Sequence, residues 1–185
     1  IIFQQEIRRF LLMMSSRYSK RKSFFQFLSG VGEPPRQEVN ISAIVQACAN
    51  MSKTQTGALI VLSRVSTIEL YSGTGVVLNS EISSSMIESV FFSGNPLHDG
   101  AMLIINSRIY AARCILPVSQ SLSLPSGLGM RHRAAMGISE QNDSFVIVLS
   151  EETGEISYAE YGKMTLNVSI TDLQKKLEAE FPSAA

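Results

Sequence analysis

The 185-residue chain is 45% hydrophobic and only 17% charged, with a formal net charge of zero. That suffices for one sizeable core and disfavours a free nucleic-acid binder, which carries a basic excess. Its two cysteines, Cys48 and Cys114, lie in apolar runs without CxxC spacing, which argues against a disulfide framework or cysteine metal site and predicts buried free thiols in a reducing compartment.

Residues 1–28 read as a helix, with Phe3, Ile7, Phe10, Leu11 and Met14 at helical spacing. The neutral total hides an asymmetry here. Residues 1–22 hold six Lys and Arg against Glu6 alone, a net of +5 that leaves −5 for the remainder. Two readings stay open: an ordinary amphipathic helix, or a membrane flank whose spanning helix ends just before Ile1, with the arginines on its cytoplasmic side. No run of ~18 apolar residues occurs, so no span is expected within these residues. Residues 29–38, centred on Ser29-Gly30-Val31-Gly32-Glu33-Pro34-Pro35, read as a linker.

Residues 39–185 then read as one domain. Val39, Ile41, Ile44, Val45 and Cys48 predict a second helix ending before Gly57, and residues 58–62 a buried strand. Residues 68–71 are expected to form a partner strand, followed by Gly73-Thr74-Gly75. Ser83 is the expected N-cap of a helix through Met86, Ile87, Val90 and Phe91, which Gly94-Asn95-Pro96 stops. Residues 101–105 and 109–116, joined by Asn106-Ser107, read as a hairpin. A Ser-, Pro- and Gly-rich loop over 117–129 leads into a helix over about 130–141. Residues 145–149 are the strongest buried-strand candidate, and 155–158 pair back across a polar turn. Thr171 is the expected cap of a last helix with Leu173 and Leu177 on one face. The fold class is therefore α/β in the mixed α+β sense, a central, largely antiparallel mixed sheet flanked by helices.

Two segments hold both histidines of the chain. In Leu97-His98-Asp99-Gly100-Ala101 the Asp-Gly pair is a common tight turn. At the mouth of a buried strand it is also a rigidly held carboxylate able to ligate Mg²⁺ or Mn²⁺, with Gly100 leaving room for a ligand against the backbone. His98 is either a nitrogen ligand, which favours Mn²⁺, or a packed side chain that touches no metal. In Gly127-Leu128-Gly129-Met130-Arg131-His132-Arg133, two glycines run into a helix start whose N–H groups can face an anion. Basic residues there oppose the helix dipole, which favours an anionic ligand over a merely solvated helix end. Residues two apart on a helix point ~200° apart, so Arg131 and Arg133 cannot both face one phosphate. One is expected to serve phosphate while the other braces an acidic residue. Ser150-Glu151-Glu152-Thr153-Gly154 is either turn polarity or a carboxylate ligand at a strand end. A Walker A lysine motif, a GxGxxG and a Gly-x-Ser-x-Gly elbow are all absent.

Taken with Thr56-Gly57-Ala58-Leu59-Ile60, Ala134-Ala135 and Gly137-Ile138-Ser139-Glu140, these segments resemble, in order over roughly residues 39–160, the motif series of the diadenylate cyclase family. The leader Ile1-Ile2-Phe3-Gln4-Gln5-Glu6-Ile7-Arg8-Arg9 is similar to the segment after the last transmembrane helix of its membrane-anchored bacterial members. The resemblance implies synthesis of cyclic di-AMP from two ATP with release of two pyrophosphates, using Mn²⁺, Mg²⁺ or Co²⁺. It implies a face-to-face homodimer with one ATP per subunit, at the cytoplasmic face of the bacterial cell membrane. By the same resemblance Asp99 holds metal and activates the hydroxyl, with Arg131, His132 and Arg133 as the phosphate-side catalytic motif. Gly100, Ala101, Gly129, Met130, Arg131, Ser150 and Glu151 meet the nucleotide, Leu116 lines the adenine pocket, and His98 and Glu151 add metal ligands. Met130 departs from the threonine that many relatives carry, which removes a hydroxyl but leaves a backbone N–H; Gln5 replaces a common proline. The alternatives are a catalytically silent module binding ATP or cyclic di-AMP and, more weakly, a metal-dependent phosphohydrolase.

Overall fold

The computed structural model describes residues 38–64, 66–121, 125 and 127–181. The expected helix over 1–28, and the linker apart from residue 38, lie outside them. The chain divides into two units, Ile1–Arg36 and Gln37–Ala185, and everything described below belongs to the second.

In chain order the elements are α1 (Ile41–Lys53), β1 (Ala58–Leu62), a 3-10 segment (Ser66–Thr74), β2 (Val76–Glu81), α2 (Ser84–Phe91), β3 (Ala101–Ile105), β4 (Arg108–Cys114), α3 (Met130–Gln141), β5 (Phe145–Leu149), β6 (Ile156–Glu160), β7 (Lys163–Thr165) and α4 (Ile170–Glu180). The strands form one seven-stranded sheet in the order β2-β4-β3-β1-β5-β6-β7. β1 and β3 run parallel, and the other pairings are antiparallel.

The three central strands are buried at every residue because both sheet faces are covered. Alternate side chains serve opposite layers. Ala58, Ile60 and Leu62 of β1 join Ile44 and Cys48 of α1, Ile87 and Phe91 of α2, and Leu173 and Leu177 of α4. Leu59 and Val61 join Ile68 of the 3-10 segment and Ala135 and Ile138 of α3. Cys48 and Cys114 are free and buried, as expected, and burial pushes their thiols up to about 12 and about 11. Asn106 and Ser107 take left-handed backbone (φ 49 and 59), the requirement of a two-residue hairpin turn between β3 and β4.

Two expectations are corrected. Residues 68–71 are 3-10 helical, not a strand: Ile68 is fully buried while Leu70 is 86% exposed, whereas in a strand both would share a face. The Ser72 and Thr74 hydroxyls donate to the carbonyls of Glu69 and Tyr71, three residues back, which favours helical turns. The edge strand is instead β2, and β7 closes the opposite edge. The last helix is capped by Ser169, not Thr171. Ser169 Oγ accepts from Asp172 N–H at 3.1 Å and donates to Asp172 Oδ2 at 2.7 Å, a reciprocal cap.

The far end of α4 is fixed to the sheet by charge. Arg64 reaches Glu160 at 3.0 Å and Glu180 at 2.7 Å, donates to the Asp143 carbonyl, and lies over the Tyr161 ring at 5.0 Å. Lys176 bridges the same two carboxylates at 2.6 and 2.9 Å. Arg64→Gln leaves two partly buried carboxylates sharing one cation and should cost about 2–4 kcal/mol, read as a lower urea midpoint. Burial pushes the Glu180 carboxyl up, but hydrogen bonds and charge from Lys176 and Arg64 outweigh it and hold the group below its ordinary 4.5. Such a group contributes stability above its unfolded value that is lost as pH falls through the folded one. Loss of stability below about pH 4.5 should therefore be shallower in Arg64→Gln than in the unsubstituted protein.

Candidate functional site: a charged cleft at one end of the sheet

Parallel pairing of β1 with β3 sets both strand starts at one end of the sheet, and antiparallel β4 and β5 deliver their last residues to the same end: Ala58 faces Leu149 and Ala101 faces Cys114. A cleft of about 810 Å³ opens there, within the range of small-molecule sites. Its walls include His98, Asp99, Gly100, Met130, Arg131 and Glu151, so the two histidine-bearing segments and the β5–β6 turn converge on one space. Ala134, Thr74, Arg113, Cys114, Ile115 and Val118 complete much of the wall.

Arg131 Nη1 donates to Glu151 Oε2 at 2.6 Å across the cleft. The pair crosses the start of β1 so closely that a Cβ on Gly57 would lie 2.9 Å from Glu151 Oε2 and 3.0 Å from Arg131 Nη1. Arg131 is therefore both the residue in the cleft and the brace, and Arg133 is not among the residues lining the cleft. The ~200° rule of helical spacing is obeyed, although the division of labour differs from the expectation. Gly129 caps α3 without a side-chain bond, and a Cβ there would meet open space.

Asp99 is exposed at the mouth of β3, with no ion pair or hydrogen bond to its carboxylate among the described residues. His98 Nδ1 lies 2.7 Å from the Asn95 carbonyl. A carbonyl only accepts, so Nδ1 is the donor in this contact and Nε2 is the ring nitrogen that the contact leaves uncommitted. Among the described residues no three His, Cys, Asp or Glu side chains gather as a ready metal cage. The expected trio of Asp99, His98 and Glu151 is thus not assembled as one, because Glu151 turns to Arg131 and His98 turns to Asn95. The donor chemistry still suits Mg²⁺ or Mn²⁺, which take one or two protein carboxylates and complete their shell with phosphate oxygens and water.

Gly100 has φ +144, and a Cβ there would sit 2.7 Å from the Arg113 carbonyl carbon. Its glycine is demanded by β4, not by room for a ligand. His132 is 7% exposed and absent from the cleft wall; burial pulls its imidazole below the ordinary 6.5, with the Glu155 charge opposing. Ala101 and Leu116 are buried in the core cluster around Leu103, and the wall next to Leu116 is made by the 70% exposed Ile115. Ser150 builds the turn that presents Glu151: its Oγ accepts from the N–H groups of Glu152 and Thr153, both at 3.2 Å.

Sequence reading missed Thr74, Arg113 and Ile115. The Thr74 hydroxyl donates to the Tyr71 carbonyl at 2.7 Å and accepts from Ile115 N–H at 2.9 Å, pinning the end of β4 to the 3-10 segment. Its signal was the Gly73-Thr74-Gly75 triplet, which carries no partner in its spacing.

A mixed sheet with a charged cleft of small-molecule size at its strand ends defines an α/β domain with a ligand cleft. A family profile described as DAC, DisA bacterial checkpoint controller nucleotide-binding, matches residues 45–164, and the chain belongs to that diadenylate cyclase family. It is 41% identical over 181 residues to "Cyclic di-AMP synthase CdaA" of Bacillus subtilis (strain 168), covering 98% of this chain and 64% of that protein. It is 40% identical over 180 residues to "Diadenylate cyclase" of Listeria monocytogenes serotype 1/2a, covering 97% and 64%. The chain thus spans under two thirds of the length of these curated relatives. The crystal structure of a double mutant of DacA from Staphylococcus aureus superposes with a TM-score of 0.75 at 39% identity, covering 77% of this chain and 95% of that one.

Replacing Thr74 with valine keeps the shape and removes both hydrogen bonds. Thr74→Val should cost about 1–3 kcal/mol and should speed hydrogen exchange at the Ile115 amide. Unchanged protection at Ile115 would show that the hydroxyl does not hold this wall.

Proposed function

We propose that this chain is the catalytic part of a diadenylate cyclase, condensing two ATP into cyclic di-AMP and two pyrophosphates. The observation that carries the reading is the convergence of the unpaired Asp99 carboxylate and the Arg131–Glu151 pair on one cleft of about 810 Å³. The named activities of the relatives support it.

Each subunit binds one ATP with its triphosphate between Asp99 and the start of α3. Arg131 spends one N–H on Glu151 and keeps others for phosphate oxygens. The free N–H groups at the Gly129 end of α3 add donors, a role the Met130 backbone fills without a hydroxyl. The exposed apolar side chains of Ile115, Val118 and Met130 offer a face for the base. Two subunits meet cleft to cleft, so that each ATP 3′-hydroxyl oxygen attacks the α-phosphorus of the other. A new phosphorus–oxygen ester bond forms, the bond from the α-phosphorus to the bridging oxygen breaks, pyrophosphate leaves with that oxygen, and the hydroxyl proton passes to water in the open cleft. Asp99 orients that hydroxyl and, with Glu151 or the Nε2 of His98 within the same wall, would hold a divalent cation. Bound there, Mn²⁺, Mg²⁺ or Co²⁺ would offset phosphate charge and favour the ionised hydroxyl. The buried His132 acts from behind, packing α3 so that Arg131 faces inward, and the Arg133 carbonyl accepts from the Ser119 N–H at 3.0 Å, tying α3 to the loop after β4. Holding both nucleotides in register supplies much of the acceleration, up to ~7–11 kcal/mol for well-oriented reactants.

Residues 39–185 form the catalytic domain in this reading, with 1–28 a basic juxtamembrane helix and 29–38 a linker. Support for membrane association comes from the +5 charge of residues 1–22 and from likeness to a structure described as a hypothetical membrane spanning protein from Bacillus cereus, at TM-score 0.66 and 43% identity. Among the described residues no helix is long and apolar enough to cross a membrane.

Incubation with ATP and Mn²⁺ at high protein concentration should yield cyclic di-AMP, at a rate per subunit that rises with concentration. Asp99→Asn should lower it at least about 100-fold with the fold intact. Nucleotide binding without product would favour the silent module, and ADP, AMP or free phosphate a phosphohydrolase. Gly57→Ala, which drives a methyl group between Arg131 and Glu151, should lower turnover roughly 10–100-fold while leaving the thermal midpoint within a few degrees. Full activity in Gly57→Ala would remove the ion pair from the account.

A further inference from the structure

Arg113 has no assigned role, and three observations single it out. It lines the cleft, it is exposed, and among the described residues lining the cleft it is the cation with no carboxylate partner, since the charge of Arg131 is matched by Glu151. Its backbone is left-handed at φ +58, a conformation disfavoured for a side chain of this kind. Gln55, Asn106, Ser107, Tyr161 and Asn167 share that conformation in turns between elements, and Asn79 shares it at the bulge of β2, where asparagine tolerates it; Arg113 holds it inside β4, where the register against β3 slips between Ala101 and Leu103. The bulge also fixes where the arginine begins. Its carbonyl carbon lies 2.7 Å from where a Cβ of Gly100 would be, so the side chain springs from beside Asp99.

Strain kept at the lip of a binding cleft points to a side chain used there. The cleft wall carries Asp99 and Glu151 against Arg113 and Arg131, so before any cation binds it has no positive excess with which to meet a triphosphate. Arg113 supplies the unmatched charge, with fork geometry suited to phosphate oxygens. We propose that Arg113 is a phosphate-binding residue that grips the triphosphate of the ATP held in its own subunit, an inference that rests on the cyclase reading above.

The test is calorimetric titration of the full chain, with Mn²⁺ present, by α,β-methylene-ATP and by adenosine. Unsubstituted protein, Arg113→Gly and Arg113→Lys are compared. Glycine accepts the left-handed bulge, so Arg113→Gly should unfold at the same temperature or higher. It should bind the triphosphate analogue roughly 10-fold more weakly and adenosine within about twofold of the unsubstituted chain. Arg113→Lys should recover part of the loss. An unchanged triphosphate affinity in Arg113→Gly would overturn the assignment. An equal loss for adenosine would also overturn it, because Arg113 would then shape the wall and not grip phosphate. If the unsubstituted chain binds neither ligand, the cyclase reading falls and this assignment with it.

Discussion

The ion pair between Arg131 and Glu151 is the contact on which the geometry of the cleft depends. At 2.6 Å it ties the first turn of α3 to the turn after β5, and it does so directly over Gly57 at the start of β1. Glu151 is 62% exposed, so the pair contributes little to global stability. Its importance is positional. Without it, a guanidinium and a carboxylate on two separate elements would each sample many rotamers at the edge of an open space. With it, the cation faces the same volume as Asp99, and the three motif segments become one wall.

That convergence is a consequence of sheet topology. A parallel β1–β3 pair brings two strand starts together, so Gly57 and the Asp99-Gly100 turn are neighbours although about forty residues separate them in sequence. Antiparallel β4 and β5 then end where those strands begin. Motif residues at strand starts and strand ends therefore meet at a single edge. The glycines are the spacing elements of this edge: Gly57 lets the ion pair pass over β1, and Gly100 lets the bulge of β4 approach β3.

Much of this was legible in the sequence. The central strands are continuous apolar runs because both faces are covered, and β1, β3 and β5 were readable for that reason. The start of α3 at Met130 and the Ser83 cap were readable from local chemistry. What escaped lacked a local signal. β2 is an edge strand with only Leu78 and Ser80 half-buried, and its sequence Val-Val-Leu-Asn-Ser-Glu does not alternate apolar with polar; β7 is only three residues long. The 3-10 segment mimics a strand in composition, and only tertiary burial of Ile68 against exposure of Leu70 separates the two. Helical geometry correctly set Arg131 and Arg133 on different sides, but no spacing rule could show that Glu151 would take Arg131. Arg113, Thr74 and Ile115 reach the cleft only through strand pairing and the 3-10 segment, which join residues distant in sequence.

The central claim is that one triphosphate lies between the Asp99 carboxylate and the start of α3. A crystal of the full chain grown with Mn²⁺ and α,β-methylene-ATP, measured for anomalous scattering from manganese, tests it directly. The account predicts a manganese peak within bonding distance of Asp99, bridged by phosphate oxygens to the Arg131 guanidinium. A peak remote from Asp99, or a nucleotide with its phosphates turned away from α3, would contradict it.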